Sequence, residues 1–205
     1  RDNNKTIAIV DTEWTNTDFT QIIFAHASND IVWDNVGILA LGTNSRGIID
    51  VTANGTVTWT NSVCQGIDST TLLANCTFDG SRWLSTNEVT AGGASMLGCK
   101  ILTPTIATDT SSLIWDVASD PDGELDGMEF SKGTNDSHAI EFGLNSPLTM
   151  TLRDIDFSGY TNTTGNNAAP LHIKRTAGTV TINLRGCSGV TTAGYKTDGA
   201  TVVLV

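Results

Sequence analysis

Basic residues are scarce: 11 Lys and Arg stand against 22 Asp and Glu, for a net charge of −11 and a pI near 4.4. No run of Lys or Arg occurs, which argues against a nucleic-acid partner, because neutralising phosphates needs clustered cations. A polyanionic substrate would be repelled by the average field. No apolar stretch reaches the roughly 20 residues that a helical membrane span requires, and no secretory signal pattern is present. The chain begins at Arg1 rather than Met, which predicts a fragment or a processed form. Cysteine is sparse: Cys64, Cys76, Cys99 and Cys187 form no C-x-x-C pair, so a zinc knuckle is not expected. Four cysteines in 205 residues do not make a disulfide framework, and they are expected to be small buried apolar residues. The 3.6-residue period of an amphipathic helix persists nowhere for a useful length.

What is abundant is Thr alternating with apolar residues, as in TVTW and TVTINL, a strand-favouring composition. One six-residue mould also recurs: WDNVGI, LANCTF, MLGCKI, LDGMEF, LRDIDF and LRGCSG. Its third position is Asn35, Asn75, Gly98, Gly127, Asp154 and Gly186, all residue types that tolerate the left-handed backbone region. Positions four and six, such as Ile155 and Phe157, share one face of a strand. The alternation before the corner, Leu148, Met150 and Leu152, runs in the opposite phase. Two correctly alternating strands therefore meet at a phase flip, and a left-handed residue at the flip would keep both apolar sides inward.

A second strand family lies between the corners: LIWDV, AIEFG, LHIKR and VVLV. From Gly98 onward the corners are 29, 27 and 32 residues apart. A strand–corner–strand unit repeating at that period predicts an all-β solenoid, a right-handed parallel β-helix with residues stacked about 4.8 Å apart. An antiparallel β-sandwich is the alternative fold, although it does not predict the phase flip. Residues 71–205 are expected to form regular rungs, and residues 1–70 irregular first rungs or an attachment region. Segments 103–112, 131–137 and 158–168 read as loops. The closing VVLV is expected to leave an uncovered strand that invites association.

Candidate chemistry is thin. In SDPDGELDG, the carboxylates of Asp120, Asp122, Glu124 and Asp126 fall at every second residue, a density of oxygen ligands that suits Ca²⁺. The segment is too short for an EF-hand loop, and an acidic solvated turn explains it as well. No other cofactor is expected. Lys100, Glu129, Asp156 and Ser188 are expected to stack in one outward column, read either as a charge ladder or as a carboxylate site. His172 and Lys174 are expected on an outward polar face, with Leu171 and Ile173 inward. His26 and His138 have no partners at a recognisable triad spacing.

This pattern resembles the pectate-lyase-type β-helix superfamily, which places Asn at a bend as Asn35 and Asn75 would here. The resemblance covers roughly residues 70–205 and implies a fold, not an activity. The stretch GTVTINLRGCSGVTTAGYKTDGATVVLV is similar to β-helical structural proteins of tailed bacteriophages. That similarity implies a non-enzymatic virion surface component, either a capsid decoration protein or a tail or fibre segment. It would partner with its own copies, as a trimer by analogy, with other virion proteins and with a host surface glycan. The alternatives are a polysaccharide-binding or polysaccharide-degrading tailspike or secreted glycan lyase, and a bacterial surface adhesin.

Overall fold

The computed structural model describes residues 89–205 except 92, 103 and 105, and before them the backbone of ten strand segments between residues 5 and 84. Among these residues there is no helix, and every strand pairing is parallel. The described part of the chain is therefore all-β with parallel sheets. The antiparallel sandwich is overturned for the described residues: each strand's partner lies one strand–corner–strand unit further on and runs in the same direction.

The longest sheet has seven strands: Glu13–Asn16, Gly37–Ala40, Val63–Gln65, Arg82–Leu84, Lys100–Leu102, Glu129–Ser131 and Asp156–Ser158. It takes strands from both sides of residue 70, where the sequence pattern changes character. A second sheet joins Val89–Thr90, Ser111–Trp115, His138–Phe142, Leu171–Ile173 and Tyr195–Thr197. A third joins Thr149–Arg153, Thr179–Arg185 and Thr201–Leu204. Four strands from Lys5–Val10 to Cys76–Asp79 form a further sheet, and Gln21–Phe24 pairs with Ile48–Val51.

The corner residues carry the left-handed backbone. Gly98, Gly127, Asp154 and Gly186 have φ of 60°, 72°, 55° and 69°; Asn35 and Asn75 lie outside the described residues. The corners hold one another in a ladder. The N–H of Gly98 donates to Asp126 O, that of Gly127 to Arg153 O, and that of Asp154 to Arg185 O. On either side of Asp154, Met150, Leu152, Ile155 and Phe157 are all buried, so the phase flip does keep both apolar sides inward. Leu148 departs from the alternation: it precedes the strand that opens at Thr149 and is 51% exposed.

In-register stacking builds the core. Ile101, Phe130 and Phe157 occupy matching positions on successive strands, and the two Phe rings stack at 5.7 Å with an 8° tilt. Trp115, Phe142 and Ile173 form a second column, and Leu113, Ile140 and Leu171 a third. All nine side chains are buried, and burying each is worth about 1.5–3 kcal/mol. Cys99 joins this core. The segment VVLV does not continue the family of LHIKR. Tyr195–Thr197 takes that place, while Thr201–Leu204 pairs with Thr179–Arg185. Tyr195–Thr197 carries no apolar alternation and all three of its residues are half-buried, so the sequence pattern does not mark it as a strand of that family.

Candidate functional site

The polar column on the seven-stranded sheet forms in register. Lys100 pairs with Glu129, Glu129 with Asp156, and Asp156 bridges to Ser188. The Lys100 ammonium donates to Glu129, and Ser188 Oγ donates to Asp156 Oδ1 at 2.5 Å. These half-exposed contacts are each worth at most about 1 kcal/mol, and they engage both carboxylates with neighbouring donors.

The acidic run is likewise spread over the chain's own donors. Asp120 Oδ1 accepts the N–H of Asp122 at 3.2 Å and that of Thr151 at 2.9 Å. Arg153 makes a two-pronged contact with Asp122, 3.1 Å on each arm, and reaches Asp126 at 3.6 Å. Asp126 also accepts the Gly123 N–H at 3.0 Å. Glu124 is half-buried. Among the described residues these four carboxylates do not converge on one point.

A different cluster does converge, and the sequence reading passed over it. His138 opens its strand, and His172 sits at the centre of Leu171–Ile173, next to the strand that bears His138. The two rings lie 4.6 Å apart, centroid to centroid. Both histidines are buried, at 0% and 1% exposure, so the expected outward polar face at His172 is not what forms. The outer side of the strand is covered instead. Glu141 and Lys196 flank His172 in register, Asp198 reaches it, and Asp109 and Asn167 meet Lys196 above it. Asp109 has a left-handed φ of 63°.

The two histidines differ in their partners. His138 Nδ1 lies 2.7 Å from Ala169 O, and its Nε2 lies 3.3 Å from Asp109 Oδ1. His172 Nε2 contacts Asp198 Oδ1 at 3.0 Å. His172 Nδ1 lies 3.5 Å from Glu141 but makes no hydrogen bond, leaving a buried nitrogen without a partner. Lys196 donates to Asp109 Oδ1 and, at 3.1 Å, to Asn167 Oδ1. Lys174 lies 3.8 Å from Glu141 and 3.9 Å from Asp198. Beside the cluster lies an open depression of about 330 Å³ lined by Asp116, Glu141, Lys174, Thr176 and Asp198. One ligand atom each from Asp109, His138 and His172 fall within 4.8 Å of one another, so this trio could hold a metal ion.

Burial pushes His138 below its ordinary value of 6.5, outweighing the hydrogen bonds to Ala169 and Asp109 that favour the charged ring. Burial alone would raise Asp109, but the Lys196 ammonium and the neighbouring His138 ring bring it below 3.8. For His138, the unfolded chain takes up a proton that the folded ring resists. Its stabilising effect is complete above about pH 6.5 and declines as pH falls from there toward the lower folded value. Asp109 contributes in the same direction, with stability present above about pH 3.8 and lost as pH falls through its folded value. We expect urea midpoints to drop between about pH 7.5 and pH 5.5, and to drop less in His138→Gln. An equal drop in the two proteins would remove His138 as the source.

The useful signal lay in the repeat period, not in triad spacing. Asp109 and His138 are 29 residues apart, and His172 and Asp198 are 26 apart. Polar residues one period apart become neighbours on adjacent strands.

No family model, no curated protein and no solved structure matches this chain.

Proposed function

We propose that the chain is a right-handed parallel β-helix that works through its shape, as a non-enzymatic structural module on the surface of a tailed-phage particle. One observation carries this reading. The stacking from Lys100 to Ser188 stays in register on both sides of the sheet, and its outward carboxylates are spent on neighbouring strands. Such a surface favours rigidity over catalysis, since stacked units each support the next. The scarcity of basic residues fits partners that are proteins, namely its own copies and other virion components, rather than packaged nucleic acid.

Quantitative mass spectrometry of purified particles from the source culture tests this. Copy numbers comparable to the major shell subunit are expected for a decoration protein, and a small fraction of that number for a tail or fibre part. Absence from the particles would sink the proposal.

The depression beside His172 favours a second reading, in which the chain binds or cleaves a polysaccharide. Glu141 and Asp198 line it and share Lys174, the mix of carboxylate and cation that sugar hydroxyls can meet. Glycan cleavage that disappears in Glu141→Gln, or in Asp156→Asn on the outer column, would put this reading first.

A further inference from the structure

We infer that Asp109, His138 and His172 form a binding site for a single divalent transition-metal ion of the zinc class. The case begins with His138. A neutral imidazole has one N–H, and the 2.7 Å contact with Ala169 O places it on Nδ1. Nε2 then presents a lone pair to a carboxylate oxygen 3.3 Å away. Two acceptors facing each other repel unless a cation lies between them. An ion bonded to both would satisfy both, and the ring, buried at 0% exposure, already stands against the carboxylate.

A metal ion fits the spacing. With bonds of about 2.0–2.1 Å to nitrogen and oxygen, adjacent ligand atoms of a tetrahedral zinc centre lie about 3.3 Å apart. That is the His138–Asp109 separation. The Ala169 carbonyl is also the kind of outer partner that orients a ligating histidine. His172 supplies the third ligand, within 4.8 Å of the other two. Carboxylates stand beside both of its ring nitrogens, Glu141 by Nδ1 and Asp198 by Nε2. The unpartnered Nδ1 is free to bind the ion, and Nε2 then has Asp198 Oδ1, at 3.0 Å, as the acceptor for its N–H. Two imidazoles and one carboxylate select zinc, copper, nickel or cobalt over calcium or magnesium, which prefer oxygen alone.

Asp109 is the outer wall, 41% exposed, so the ion enters from its side. Lys196 holds the same Asp109 oxygen and is the resident competitor. Its second partner, Asn167 Oδ1 at 3.1 Å, gives the ammonium a place to retreat when the ion arrives.

The test uses the full chain, stripped with a chelator and titrated with zinc chloride by calorimetry at about pH 7.5, where free histidine is neutral. We expect one zinc per chain and a higher melting temperature on loading. Cobalt chloride should give the visible bands of a tetrahedral centre. Asp109→Asn, at the exposed wall, should weaken zinc at least about tenfold, and His138→Gln more. Lys196→Met should tighten it. Circular dichroism checks that each variant is folded, and the exposed Asp109 variant carries the test if a buried histidine variant is not. No zinc bound, or zinc bound equally well by Asp109→Asn, overturns the site. Unchanged or weaker binding by Lys196→Met overturns the assignment of that lysine as competitor.

Discussion

Replacing Phe157 with alanine is expected to destabilise the protein by about 3–5 kcal/mol. Phe157 is 1% exposed, lies in register with Phe130 one strand below, and stacks on its ring at 5.7 Å. The substitution removes the transferred aromatic surface, leaves a void that a rigid backbone ladder cannot close, and strips Phe130 of its stacking partner. The aromatic contact itself is worth about 0.5–1.5 kcal/mol beyond burial. The Phe157 N–H also bonds to Ser188 O at 3.0 Å, so the strand is held at its flank and cannot collapse into the gap. Phe157→Leu keeps most of the volume and should cost less than half as much. Urea denaturation of both variants measures the difference. A loss under about 1 kcal/mol for the alanine variant would mean that the column is loosely packed and the side chain is not in the core.

The second large effect is expected at Gly189. Its φ is 70°, and a Cβ there would stand 2.0 Å from the carbonyl oxygen of Phe157. That oxygen is backbone in a paired strand and cannot rotate away, so the closing chain itself must lift. Gly189→Ala should cost about 2–4 kcal/mol, combining left-handed strain with displaced packing. Gly178 provides the control: it has φ of 84° but open space around its Cβ position. Gly178→Ala should cost only the conformational part, about 1 kcal/mol. Thermal melts of the pair separate crowding from strain, and equal losses would show that the close approach at Gly189 is absent.

How far the sequence could be read follows from which forces are local. The corner residues were legible because a left-handed φ is a property of one residue, and only Gly, Asp or Asn suits it. The outward column from Lys100 to Ser188 was legible because residues one period apart must stack. Parity failed at His172: it assumes that one side of a strand faces water, whereas side chains from three separate loops and strands cover both sides of Leu171–Ile173. The assignment of VVLV failed because the strand that does lie beside Leu171–Ile173, Tyr195–Thr197, has no apolar alternation to reveal it, whereas the apolar run at the end of the chain drew the assignment to itself. The histidine pair was missed because its carboxylate partners come from positions 109 and 198, about one repeat away along the chain, and short-range spacing carries no trace of them.

The contact between Asp109 and Lys196 joins residues 87 apart in the chain, across the strands that hold both histidines. It therefore acts as a ruler. Adjacent strands are about 4.8 Å apart, so duplicating or deleting one whole unit between residues 111 and 195 would shift Lys196 by that distance and break the contact. Units elsewhere can be added or lost without touching it. Chains descended from this one should thus vary in length outside that window while keeping the number of units within it, a constraint on insertion and deletion set by the reach of one lysine.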